Sequence, residues 1–195
     1  MQADLCSKPT TEQLMSKKIL AALSVATLVM STAATAADSE WTYPTIQGFG
    51  KISPAPEASM QPAKDVEYKV VFSTTGGGDA DKVNSSLDRV ARAVNLFTGA
   101  GVPLSHLHFV VVIHGPATPT VLDNAHYQQK FSVDNPNAKL IDELNKAGVK
   151  IEVCAQALAA NNLQRNWVNR EVELTLSAIT DIVMLEQQGY VLYPN

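Results

Sequence analysis

"LHFVVVIHG", residues 107–115, is the stretch on which the fold turns. Leu107, Phe109, Val110, Val111, Val112 and Ile113 form a nearly unbroken apolar run, rich in β-branched residues. A strand with one wet face alternates apolar and polar side chains, whereas a strand covered on both faces does not. The run reads as the central strand of a parallel sheet.

Working outward, the flanking segments alternate between two periodicities. "YKVVFSTT" (68–75) is a second strand, closed by "GGG" at 76–78. Asp81 is placed to cap a helix in which Val83, Leu87, Val90, Val94 and Phe97 recur at helical spacing, ended by Gly99 and Gly101. Downstream, "TVLDNAHYQQKF" reads as a short helix. "NAKLIDELNKAG" reads as another, with Leu140, Ile141, Leu144 and Ala147 on one face and Gly148 past its end. "VKIEVC" (149–154), "VELTLS" (172–177) and "YVLYP" (190–194) are further strands, and "AITDIVMLEQQG" (178–189) a further helix. Such alternation predicts an α/β single-domain sandwich, with a mostly parallel sheet flanked by helices on both faces and right-handed crossovers.

The N-terminus carries a different signal. Met15, the basic pair Lys17 and Lys18, an apolar run from Ile19 to Met30 and the small residues Ala34, Thr35 and Ala36 have the form of a secretory leader. Cleavage near Ala36 predicts a periplasmic or secreted protein. Residues 1–36 are then the upstream start and signal peptide, 37–65 a Pro-rich extended N-terminal arm, and 66–195 the α/β domain. The arm carries Trp41, Tyr43, Ile46 and Phe49, enough apolar surface to pack on the domain or on a neighbouring subunit. The chain has 15 Lys and Arg against 19 Asp and Glu and shows no basic stripe, so nucleic acid is not an expected partner. No second apolar stretch suggests a membrane span.

Of the two cysteines, Cys6 lies in the leader, which makes Cys154 the sole thiol of the processed chain. A lone thiol in a disulfide-forming compartment is either packing or a reactive group. Cys154 ends a strand and precedes "AQALAA", a strong helix former. Unpaired N–H groups at a helix start favour thiolate, the form that attacks sulfur or carbon electrophiles. Free cysteine is also among the most often buried residue types, and the structural role stays open. His114 ends the central strand at the same edge of the sheet, where sites of open parallel sheets form. It is a residue type suited to orienting a bound group, or to capping a loop carbonyl. Gln156, just after the thiol, is placed with His114 as a supporting residue. His106, His108 and His114 do not make a metal site: His108 and His114 are six strand residues apart, roughly 20 Å at about 3.3 Å per residue. "GGG" lacks the Lys-Ser/Thr of a phosphate loop and the GxGxxG spacing. Neither metal nor cofactor is expected.

"YKVVFSTTGGGDADKVNSSLDRVARAVNLF", "VVVIHGPAT", "GVKIEVCAQAL" and "ITDIVMLEQQGYVLYP", in this order and spacing, resemble the DsrE/DsrF-like (YchN-like) sulfur-relay family over roughly residues 66–194. The likeness is greatest to exported single-domain members with an arm such as "YPTIQGFGKI". The resemblance implies a small α/β sandwich that forms homo-oligomers, often trimers or hexamers. It also implies that Cys154 matches the cysteine that carries persulfide sulfur from a donor protein to an acceptor protein. Two functions follow: a periplasmic sulfur carrier or sulfurtransferase using Cys154, or a non-catalytic oligomeric binding module for a small anionic or sulfur-bearing ligand.

Overall fold

The computed structural model describes residues 40–195. The leader, its cleavage point and Cys6 lie outside the described residues. Five strands form one sheet: β1 (Tyr68–Thr74), β2 (Leu107–Ile113), β3 (Lys150–Cys154), β4 (Glu173–Thr175) and β5 (Val191–Pro194). Their order is β4-β3-β2-β1-β5, and every neighbouring pair is parallel. The strand of the opening stretch is central, buried at six of its seven positions.

Five α-helices connect the strands: α1 (Ser85–Gly99), α2 (Asn124–Phe131), α3 (Ala138–Lys146), α4 (Ala155–Ala160) and α5 (Ala178–Gln187). Each step from β1 to β4 moves the same way across the sheet, so right-handed crossovers carry α1 and α3 to one face. β5 returns to the far side of β1, and the same handedness sends α5 to the other face. The two faces are therefore unequal. On the first, Phe72, Phe109, Val111, Ile113, Ile151 and Val153 pack against Leu87, Val90 and Val94 of α1 and Leu140, Ile141 and Leu144 of α3. On the second, Val71, Val110, Val112 and Cys154 meet Ala157 and Ala178, with Ile182, Leu185 and Tyr190 only partly buried around them.

The structure corrects two local expectations. Asp81 does not cap α1; Asn84 does, accepting from the N–H groups of Ser86 and Leu87. Asn84 is the better-placed residue because it is pinned on both sides. Its own N–H donates to Asn137 Oδ1 (2.7 Å) and its side-chain amide to the Gly76 carbonyl (2.7 Å). The strand expected at 172–177 shrinks to Glu173–Thr175, an edge strand paired on one side only.

The Pro-rich arm folds back on itself, with Thr42 and Ile52 pairing as an antiparallel bridge. It docks on α1 of its own domain. Asn95, fully buried, accepts from the N–H groups of Thr45 (2.9 Å) and Ile46 (2.8 Å) and donates to the carbonyls of Phe49 and Gly50 (3.0 Å each). Gly50 passes so close to α1 that a Cβ there would lie 2.1 Å from the Arg92 backbone nitrogen, and its φ of +61° favours glycine. Ile46 and Ile52 are buried, while Trp41 stays outside under the Lys51 ammonium, 4.8 Å from the ring centre.

Candidate functional site

Cys154 closes β3 and caps α4, its Sγ accepting from the Ala157 N–H at 3.4 Å. Alternation along "KIEVC" puts Lys150, Glu152 and Cys154 on the second face of the sheet. There the thiol is unpaired with any other cysteine and only 5% exposed, against Val112, Ala157 and Ala178. The cover from α4 and α5 closes the thiol off from solvent.

His114 follows β2, and its N–H donates to the Thr74 carbonyl at 3.0 Å. Ile113 pairs with Val153, so His114 and Cys154 come next, abreast on adjacent strands and on the same face. The imidazole turns toward β1, with Nε2 3.0 Å from Ser73 Oγ. No hydrogen bond joins His114 to Cys154 among the described residues. Burial holds the His114 pKa below its ordinary value, so the ring is neutral near pH 7. Gln156 is exposed and does not reach the thiol. It donates to the Leu176 carbonyl (3.1 Å), tying α4 to the segment that leads into α5.

The structure adds residues that sequence reasoning did not select. Glu152 is 6% exposed, and its Oε1 takes the Lys150 ammonium at 2.5 Å. Lys150 also reaches Glu173 at 3.0 Å, and the two carboxylates push its pKa up. Asp181 of α5 points inward toward Glu152. Burial first, and then the neighbouring Glu152 carboxylate, raise the Asp181 pKa to about 7. Glu152 Oε2 and Asp181 Oδ2 are both buried without a donor. Two acceptors can bond only through a proton, and one proton between them serves both. Strand alternation was the available signal for Glu152; nothing local pointed to Asp181, which arrives from a helix 29 positions later.

A cleft of about 410 Å³ opens beyond the carboxyl ends of the strands, lined by Gly77, Lys82, Asn84, Pro116, Tyr127 and Lys130 among others. Cys154 does not line it, and Lys82 is already paired with Asp79 at 2.7 Å. The histidines go separate ways: His106 bonds the Lys64 carbonyl, while His108 pairs with Glu67 at 2.6 Å. No cluster of three or more His, Cys, Asp or Glu is placed to hold a metal ion among the described residues. No described helix is long and apolar enough to cross a membrane.

The family model described as "DsrE/DsrF-like family" matches residues 67–194, a span that takes in all five strands and all five helices. The chain belongs to the DsrE/DsrF-like family. Two solved structures are similar to this DsrE-like chain. A protein of unknown function from Methanobacterium thermoautotrophicum, MTH1491, is 18% identical, with 66% of this chain and 100% of that one covered and a TM-score of 0.49. The ychN protein of E. coli is 12% identical, with 66% and 99% covered and a TM-score of 0.47. No curated protein matches the chain. The DsrE-like family is associated in general with sulfur relay.

Proposed function

We propose that this DsrE-like protein is an exported sulfur carrier that holds persulfide sulfur on Cys154. The observation that carries the reading is the thiol's place: the last residue of β3, with its sulfur aimed at an N–H of the next helix. A partly negative sulfur is what that N–H favours. In the loading step, Cys154 thiolate attacks the outer sulfur of a donor persulfide. The new S–S bond forms as the donor's S–S bond breaks, and the donor leaves as a thiol that takes up a proton. An acceptor thiolate then attacks the outer sulfur on Cys154 and releases the Cys154 thiolate. His114, neutral and held by Ser73, contributes position rather than proton transfer.

Assembly into homo-oligomers, trimers or hexamers, is part of the proposal. Ile179, Val183 and Met184 on the outer side of α5, with Val191 of the edge strand β5, are exposed large apolar residues that one copy leaves uncovered.

Intact mass analysis after incubation with a sulfane-sulfur donor tests the reading. The wild type should gain the mass of one sulfur atom, reversibly with a thiol acceptor, and Cys154→Ser should gain none. A wild type that never gains sulfur overturns it. The burial of Cys154 specifically favours a second reading, an oligomeric module that binds a small anionic or sulfur-bearing ligand and uses the thiol as packing. A native thiol that resists alkylation at every pH would select that module.

A further inference from the structure

A sulfur carrier must present its thiol to two partners, yet Cys154 is closed over. On the second face of the sheet its cover is Ala157 of α4 and Ala178, the first residue of α5. Of these two helices α5 is the longer, and it lies on that face lightly. Ala178 is its sole fully buried residue, Ile182 and Leu185 are partly buried, and Ile179, Val183 and Met184 face outward. One turn beyond Ala178, on the same side of the helix, Asp181 meets Glu152 of β3.

We propose that α5 is a lid over Cys154, latched to the sheet by a proton shared between Asp181 and Glu152. The functional meaning of the lid rests on the sulfur-carrier reading; the latch itself does not. The geometry favours a shared proton, since Glu152 Oε2 and Asp181 Oδ2 are buried acceptors with no donor among the described residues. When the proton leaves to solvent, two carboxylates face each other across the β3–α5 contact. The charged groups around them cannot absorb the second charge. Lys150 on β3 is already committed to Glu152 (2.5 Å) and to Glu173 on β4 (3.0 Å). Thr175 on β4 is the remaining polar neighbour of Asp181. β1 and β2 bring Val71, Val110 and Val112 to this face, with neutral His114 and Ser73 at the edge. The other end of α5 is fastened independently, by Lys69 Nζ donating to the Gln188 carbonyl at 3.3 Å. The helix therefore lifts from its N-terminal half, the half that covers the thiol. The sign is set by Asp181, whose pKa is raised to about 7: latched below that pH, released above it.

Amide hydrogen exchange on the processed protein, residues 37–195, tests the latch without any sulfur chemistry. After correction for intrinsic exchange, protection of α5 should fall about tenfold or more as pH rises through about 7, while β2 stays protected. Asp181→Asn donates to Glu152 at every pH and should keep α5 protected throughout. The thiol gives a second readout at one pH above about 7: Asp181→Asn should be alkylated severalfold more slowly than wild type. Losing a nearby negative charge would by itself favour thiolate and speed labelling, so slower labelling isolates the lid. If wild-type α5 protection does not change with pH, the latch is wrong, and the wild-type measurement alone suffices for that should the variant not fold. Sulfur loading that fails while α5 still opens would remove the carrier reading and leave the latch standing.

Discussion

Asn95 should decide whether the N-terminal arm is part of the domain. Its side chain is fully buried and serves five backbone groups of the arm: it accepts from the N–H groups of Thr45 and Ile46 and donates to the carbonyls of Ile46, Phe49 and Gly50. Asn95→Ala removes all five bonds at once. If the arm stayed in place, the buried groups of Ile46 and Gly50 alone would cost about 1–3 kcal/mol each. The arm has an alternative, which is to leave. Undocking exposes Ile46 and Ile52, now 1% and 4% accessible, at about 1.5–3 kcal/mol per side chain. The cheaper route sets the loss, so about 3–5 kcal/mol is expected, felt as local release rather than global unfolding. Asn95→Asp keeps the acceptor for Thr45 and Ile46 but not the donor, and should fall between. Limited proteolysis reads the result: cleavage between Trp41 and Ile52 should become rapid while the sheet core survives. An Asn95→Ala protein that keeps its arm protected and loses under about 0.5 kcal/mol would refute the reasoning.

Three further outcomes follow from particular residues. Asp181 binds a proton in the folded chain up to about 7 but in the unfolded chain only to about 3.8, so stability should fall between those pH values and level off above. The full difference would be ~4 kcal/mol at about 1.4 kcal/mol per tenfold; with Asp181 partly open to water, about 1–2 kcal/mol should appear in urea melts, and Asp181→Asn should flatten the slope. Ile179→Glu with Met184→Glu should shift light scattering from oligomer to monomer, and an unchanged mass would place the interface elsewhere. His114→Ala should slow sulfur loading only a few-fold, since its ring is engaged with Ser73; loss of a hundredfold or more would make it a proton-transfer group.

The architecture was legible because its determinants are local. An apolar run such as Leu107–Ile113 states its own double burial, and the helical spacing of Leu87, Val90 and Val94 states the face of α1. The errors came where tertiary contacts chose between equals. Asp81 and Asn84 are comparable caps in isolation, and Asn137, some fifty positions away, selects the second. The site divides in the same way. Strand parity shows Lys150, Glu152 and Cys154 on one face, but the carboxylate that Glu152 meets depends on where α5 crosses. That crossing follows from β5 lying beyond β1, an order that periodicity does not encode. The closure of the thiol is hidden for the same reason.

The thiol's own position supplies the last prediction. Cys154 occupies a helix N-cap, where a hydroxyl or carboxylate oxygen accepts the orphan N–H better than sulfur does. Serine there would strengthen the bond to Ala157, while burying a hydroxyl among Val112 and Ala178 works the other way. The two effects are each about 1 kcal/mol in size, so Cys154→Ser should melt within about 1 kcal/mol of wild type. Cys154→Ala loses both the cap and packed volume and should cost about 1–2 kcal/mol. If serine is tolerated, stability does not demand sulfur at this position, and reactivity is the remaining reason for it. If serine costs more than about 2 kcal/mol, the junction needs an apolar filler, and the packing role of Cys154 gains the argument.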